Sequence, residues 1–345
     1  MKKIFFAIFA IAALVFSSCS NKVDLYSDEG DTTIVYAMLD TGADTNFFKI
    51  THSFIGNANE LAHNYDANNY TYDELEVTFT GVFEDSPATQ TIALDTISIW
   101  IPYNPNSTFY SGCYQTYYYT TKKLLEGKEY TLNILRKADN VTISAKAVTI
   151  NSFIYQKPVA TVPITFTEIT TSTANVEWKV PMAPYMSTAK YFEVTGFFNY
   201  KELMPGSNDT TLHTIKWSLG SGEADNLYNT SSQLPYYVIS YTPSALFTLL
   251  ENDEYLKNNS PVGVQRWCEK FEFQISAIGE ELYNYYLITN STSAIQDIPN
   301  YSNVENGKGI VSSRINLPRL LNISVKTQND IHDRFENYGF PHVYQ

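Results

Sequence analysis

Residues 73–83, DELEVTFTGVF, set Leu75, Val77 and Phe79 against Glu76, Thr78 and Thr80. A period of two sorts those side chains onto opposite faces of an extended chain, whereas a helix would scatter them around its circumference. The segment is a half-buried strand, and the surrounding sequence is built the same way. TTIVYAML (32–39) and NFFKITHSFI (46–55) are β-rich runs bracketing DTGAD, whose Gly42 suits a hairpin turn. TQTIALDTISIWI, KEYTLNILRK and NVTISAKAVTI follow, the last two separated by the turn residues ADN. Many short strands between turns, with no long helix, predict a β-sandwich of immunoglobulin-like type over 32–155.

YQKPVATVP (155–163) carries prolines at 158 and 163, so residues 156–163 read as a linker. Beyond it, ITFTEIT, ANVEWKV, AKYFEVTGFFNYKEL and HTIKWSL have the rhythm of a fibronectin-III-like domain over 164–325, with Trp178 as a core aromatic. Helices are expected near 243–256 and 279–289. The first has Thr242 as N-cap, Pro243 at the first helical position, and Leu246, Leu249 and Leu250 at helical spacing. The second, in GEELYNYYLIT, places Leu282, Tyr285, Tyr286 and Thr289 along one stripe. Residues 326–345 read as a polar C-terminal tail. The expected fold is therefore mainly β, with two β-sandwich domains, the second holding one or two inserted helices. Two domains also suit a chain too long for one comfortable core.

The N-terminus speaks to location. Lys2 and Lys3 precede an apolar run from Ile4 to Phe16, too short for a membrane span of roughly 20 residues and of the length of a signal-peptide core. Ser17 and Ser18 then lead directly into Cys19. That junction resembles the bacterial lipobox, with Phe16 where leucine is commoner. The resemblance implies a lipoprotein signal peptide over 1–18 and diacylglycerol on the Cys19 thiol. Residues 19–31, with Asp24, Asp28, Glu29 and Asp31, read as an acidic flexible tether reaching about 20 Å. Acidic residues at that place resemble the export tag of Bacteroidetes surface lipoproteins. The expected location is the outer membrane, lipid-anchored, on the cell surface rather than the periplasmic face.

YSNVENGKGIVSSR (301–314), together with TIVYAMLD, KITHSFIGNANELA and GEELYNYYLI, resembles an uncharacterised family of Bacteroidetes outer-membrane and cell-surface lipoproteins. Asn303, Gly307, Gly309, Ile310, Ser312, Ser313 and Arg314 match the family's block as they stand; Val311 departs from its more usual phenylalanine. The resemblance implies a lipidated two-domain β protein and brings no catalytic residues with it. On physical grounds, Gly307 and Gly309 suit positive backbone angles or close backbone approach. Arg314 reads as a buried or half-buried ion pair tying the loop down, a carboxylate clamp being the alternative.

Composition excludes nucleic acid as a partner. The chain carries a net charge of −13, and loss of residues 1–18 with their two lysines takes it to about −15, where phosphate binding demands a basic footprint. No nucleophile elbow, zinc-binding helix, paired-cysteine or phosphate-loop motif occurs, and no cofactor is implied. His52 and His63, with Glu60 and Asp66 nearby, match no metal-ligand spacing and read as exposed loop histidines. Cys113 and Cys268 read as two buried thiols rather than a disulfide. YSGCYQTYYY (110–119) is the most suggestive surface run: alternation puts Tyr117 and Tyr119 on one face and Tyr118 on the other, and Tyr114, Tyr117 and Tyr119 are the candidate ligand or partner surface. The functional expectation is a non-enzymatic binding or accessory module of an outer-membrane uptake system, partnered through its lipid with the membrane and then with a β-barrel transporter or a glycan. A surface adhesin or glycan-binding protein, and a hydrolase with a loop-assembled site, are the competing classes.

Lipidation has a direct test. Cys19→Ser is expected to move the chain out of the membrane fraction into soluble or unprocessed material; unchanged membrane fractionation would exclude the anchor.

Overall fold

The alternation in the sequence becomes an alternation of burial. In a computed structural model describing residues 32–52, 74–102, 113–169, 172–182, 184–230, 235–290 and 301–344, the strand Leu75–Phe83 buries every second side chain. The fold is mainly β. Its strands are β1 (Thr33–Leu39), β2 (Asn46–His52), β3 (Leu75–Phe83), β4 (Ser86–Ala93), β5 (Asp95–Ile101), β6 (Cys113–Thr120), β7 (Glu129–Arg136), β8 (Val141–Val148), β9 (Ile154–Lys157), β10 (Ala174–Lys179), β11 (Tyr191–Leu203), β12 (Thr211–Glu223), β13 (Tyr228–Asn229), β14 (Tyr236–Tyr241), β15 (Gln265–Ile278), β16 (Val304–Glu305) and β17 (Lys308–Leu321). Among the described residues five α-helices accompany them: α1 (Ala224–Leu227), α2 (Ala245–Asn252), α3 (Glu254–Asn258), α4 (Glu280–Asn290) and α5 (Val325–Arg334).

One sheet organises the molecule. Eight strands run in the order β12-β11-β15-β17-β1-β2-β6-β5, drawing on both halves of the sequence. Against part of it packs a five-stranded sheet, β16-β8-β7-β3-β4, and against the rest a four-stranded sheet, β13-β14-β10-β9. Two apolar cores result. One gathers Val35, Leu39, Phe48, Phe79, Tyr130, Ile134 and Val311. The other gathers Trp178, Phe192, Tyr237, Phe247, Phe271 and Phe273, with Trp178 fully buried, stacked on Tyr237 and edge-on to Phe192. Of the stretch between the halves, Gln156 and Lys157 belong to β9, and Tyr155 is buried against the second core.

β17 joins the two cores. Its first half pairs in parallel with β1, Gly309 opposite Val35 and Val311 opposite Ala37, while its second half pairs antiparallel with β15. Parallel pairing of the first described strand with the last requires a long return of the chain, and the YSNVENGKGIVSSR block is what secures it. The Asn303 side chain donates to the carbonyls of Val311 (2.8 Å) and Lys146 (2.9 Å) and accepts from the Val311 amide. Ser313 Oγ donates to the Leu39 carbonyl (2.9 Å) and accepts from the Ile150 amide (3.1 Å). At Gly309, φ is +123°, and a Cβ would lie 1.9 Å from the Val35 carbonyl oxygen. Only glycine fits there.

The helices follow sequence expectation in place, with shifted edges. α2 begins at Ala245, two residues beyond Pro243, and buries Leu246, Phe247 and Leu250. Asp253 caps α3, accepting from the Leu256 amide (2.8 Å). The C-terminal stretch departs from its reading as a polar tail. α5 is capped by Ser324 and buries Thr327 and Ile331, and Phe335 and Phe340 enter the second core. A single stripe of Thr327, Ile331 and Phe335 at a spacing of four is enough to dock it, which the prevailing polarity of the segment conceals.

Gly309→Ala is expected to abolish folding or cost more than about 4 kcal/mol in urea denaturation, because its new methyl meets backbone. Gly206→Ala, at φ +82° with open space around it, is expected to cost only about 1–2 kcal/mol of backbone strain.

Candidate functional site

Strand alternation gives the eight-stranded sheet an outer face, away from the cores, and helix α4 lies on it. Glu280 and Glu281 in its first turn complement the N-terminal dipole. The β17 hydroxyl Ser312 Oγ accepts from the Leu282 amide (3.1 Å), and the Gly279 amide donates to the Ser313 carbonyl (2.8 Å). The motif that locks β17 therefore also seats the helix.

Beside α4 the outer face opens into a cleft of about 380 Å³, within the roughly 300–1,000 Å³ of small-molecule sites. Two rows of the sheet make its floor. Arg314, Ile278 and Tyr191 stand side by side on β17, β15 and β11; Ser276, Glu193 and Ser221 form the next row on β15, β11 and β12. The helix supplies one wall through Leu282, Tyr285, Tyr286 and Thr289, the stripe read from GEELYNYYLIT. Helical spacing finds that stripe but does not say what it faces. Tyr285 and Tyr286 remain 42% and 46% exposed, so they face a cleft rather than a core.

The aromatic wall is braced. Tyr191 stacks on Tyr283 with ring centroids 5.6 Å apart and lies 5.7 Å from Tyr286; its hydroxyl bonds Ser221 Oγ at 2.7 Å. The Tyr283 hydroxyl donates to Glu223, and this bond to a carboxylate pushes the phenol up to about 12. Tyr301 donates likewise to Glu281, and burial followed by that carboxylate raises its phenol too. Both tyrosines are thus held as neutral donors that hold the helix to its surroundings.

Arg314 differs from its expected role. It is exposed and makes no hydrogen bond or ion pair among the described residues; it ties nothing down. The reason lies in the register. Alternation turns residue 314 outward onto the cleft, while Ser313 turns inward and does the tying. Arg266 is the opposite case. Fully buried, it donates to Glu202 (2.8 Å), Ser260 Oγ (2.8 Å) and the carbonyls of Tyr338 (2.5 Å) and Asn259 (2.6 Å). Tyr255 also donates to Glu202 (2.8 Å). His213 Nε2 lies 3.2 Å from Glu202, close enough for ion pairing but out of line for a hydrogen bond. This cluster spends its donors on the protein's own backbone and carboxylate, and joins β11, β15, α3 and the C-terminal turn.

The tyrosines of residues 110–119 divide. Tyr117 and Tyr119 share the outer sheet face with Phe47, at ring separations of 6.3 and 6.1 Å, and Tyr118 is buried in the first core. Tyr36, Met38, Phe47 and Ile97 are exposed on the same outer face. Tyr114 points the other way, beside Trp100 at 5.1 Å, and both are more than half exposed. Cys19, His63, Glu60 and Asp66 lie outside the described residues; His52 ends β2. Cys268 is a free thiol that burial pushes up to about 12, far from thiolate chemistry at neutral pH. Among the described residues no three metal-ligating side chains cluster. A larger hollow of about 630 Å³ near Thr41 and Lys123 is the weaker candidate site. It has no aromatic ring in its lining, and its Lys123 is paired with Asp44 at 2.8 Å.

The two arginines predict opposite outcomes in urea denaturation. Arg314→Ala is expected to change stability by no more than about 0.5 kcal/mol. Arg266→Ala, which strands a buried carboxylate, is expected to cost about 3–5 kcal/mol.

A search of curated proteins found no match. A protein-family model described as a domain of unknown function, DUF4249, matches residues 21–314, a span that takes in the first core, most of the second, helix α4 and the motif through Arg314. The chain is a member of the DUF4249 family.

Proposed function

We propose that this protein is a lipid-anchored envelope binding module, without chemistry of its own, that captures a small or chain-end ligand in the cleft beside α4 on behalf of an outer-membrane uptake system. One observation carries the reading: tyrosines at 191, 285 and 286 and a guanidinium that bonds none of the described residues converge on one cleft. Aromatic walls with a few convergent polar groups are the composition of binding sites, and among the described residues no nucleophile–base pair accompanies them there. Stacking on tyrosine suits flat ligands and the apolar faces of sugar rings, so a glycan is the favoured class. The location rests on the Cys19 junction and the acidic tether. An uptake partner is favoured because a tethered module stays close to the membrane's β-barrels. The exposed Tyr36, Met38, Phe47 and Ile97 on the same sheet face supply an apolar surface on which such a partner can rest.

The binding reading is tested on a glycan array with the mature chain and with Tyr191→Ala and Tyr286→Ala. Each substitution is expected to weaken binding about tenfold, a loss of roughly 1.4 kcal/mol of stacking and area. An array blank for the wild-type chain would remove it. The partner reading is tested by crosslinking in intact cells: barrel-sized adducts are expected, and recovery of soluble proteins alone would reject it.

A further inference from the structure

We infer that the ligand of this cleft carries a carboxylate, received by Arg314, so that the protein selects acidic over neutral glycans. The inference rests on the binding reading above and deepens it. Its starting point is the disparity within one motif. Asn303, Gly309, Ser312 and Ser313 are each consumed by the fold, through a hydrogen bond or a backbone approach that leaves no room for another atom. Arg314 is not. It follows Gly309, Ser312 and Ser313 on β17, sits next to Ile278 with Tyr191 beyond it in the row that floors the cleft, and bonds nothing among the described residues.

A guanidinium presents planar paired donors that match a carboxylate in a two-point fork. The surroundings decide which anion. Glu193 lies one row further along the floor, no lysine lines the cleft, and the chain as a whole is acidic. A dianionic phosphate would meet one cation, Arg314, and the repelling carboxylate of Glu193, whereas a singly charged carboxylate is matched one to one by the guanidinium. The N-terminus of α4 offers no second anion site, since Glu280 and Glu281 occupy its first turn. The remaining groups complete the ligand's outline. Tyr191 and Tyr286 receive the face of a ring, and Glu193 with Ser221 receives hydroxyl groups at its edge. A uronic acid, a hydroxylated sugar ring bearing one carboxylate, fits this outline.

The test is titration calorimetry of the mature chain against a panel of uronic-acid oligosaccharides and their methyl esters, which keep the shape and remove the charge. The wild-type chain is expected to bind at least one acid about tenfold or more tightly than its ester. Arg314→Gln is expected to weaken acid binding about tenfold or more, to the affinity of the ester, and Arg314→Lys to restore only part of the preference, since lysine keeps the charge without the fork. Equal binding of acid and ester by the wild-type chain would overturn the inference while leaving the binding reading intact. A preference that survives in Arg314→Gln would overturn the role of Arg314. If no acid or ester binds, the inference fails; a blank array of neutral and acidic glycans in the same experiment takes the binding reading with it.

Discussion

The structure depends on the close approach of Gly309 to the carbonyl of Val35. That contact lets β17 lie parallel to β1, and β17 is the strand through which one sheet serves two cores. Val311 faces the first core, while Ile315 and Leu317 pack against the second. Any side chain at 309 would push β17 away from β1 and open the sheet at its centre, where neither core has a substitute strand. Asn303 and Ser313 hold the same strand from either side through bonds to backbone groups. Buried backbone polar groups must be paired, so these side chains complete the ladder where it changes from parallel to antiparallel pairing.

The cleft is a consequence of this arrangement. Because β17 passes from one core to the other in a continuous ladder, its outward side chains fall into register with those of β15, β11 and β12. Arg314 and Tyr191 are drawn together from positions far apart in the sequence. Helix α4 is seated by Ser312 of the same strand, so floor and wall share one support. The site is thus carried on rigid elements, as a preorganised binding site requires. The contrast between Arg266 and Arg314 shows how location decides role for one side-chain type. Desolvation compels the first to find a partner for each donor; water beside the second imposes no such demand and leaves its fork open to a ligand.

Much of the β architecture was legible because burial on one face of a strand forces a period of two. Leu75, Val77 and Phe79 and the separation of Tyr117 and Tyr119 from Tyr118 follow from that rule alone. The stripe of Leu282, Tyr285, Tyr286 and Thr289 was equally readable. α5 was not, since its one apolar stripe is diluted by polar neighbours. The motif marks Arg314 without showing whether it makes an ion pair or clamps a carboxylate, because the two look the same until the opposing charges are located. Tyr191, Glu193, Ser221 and Ser276 carry no local mark of a site; the only signal was the alternation that set 191 and 193 on a common face.

The sequence by itself therefore determined much of the local order: which segments extend, which side chains share a face, and where only glycine is tolerated. Those properties depend on neighbours a few residues away, and periodicity records them. Tertiary structure alone decided that one sheet would back both cores, that β1 and β17 would run in parallel, and that an arginine from one strand would meet tyrosines from another strand and a helix. Such pairings join residues as far apart as Val35 and Gly309. They are selected by the joint burial of two apolar faces and the satisfaction of backbone hydrogen bonds, quantities that exist only once the chain has closed on itself.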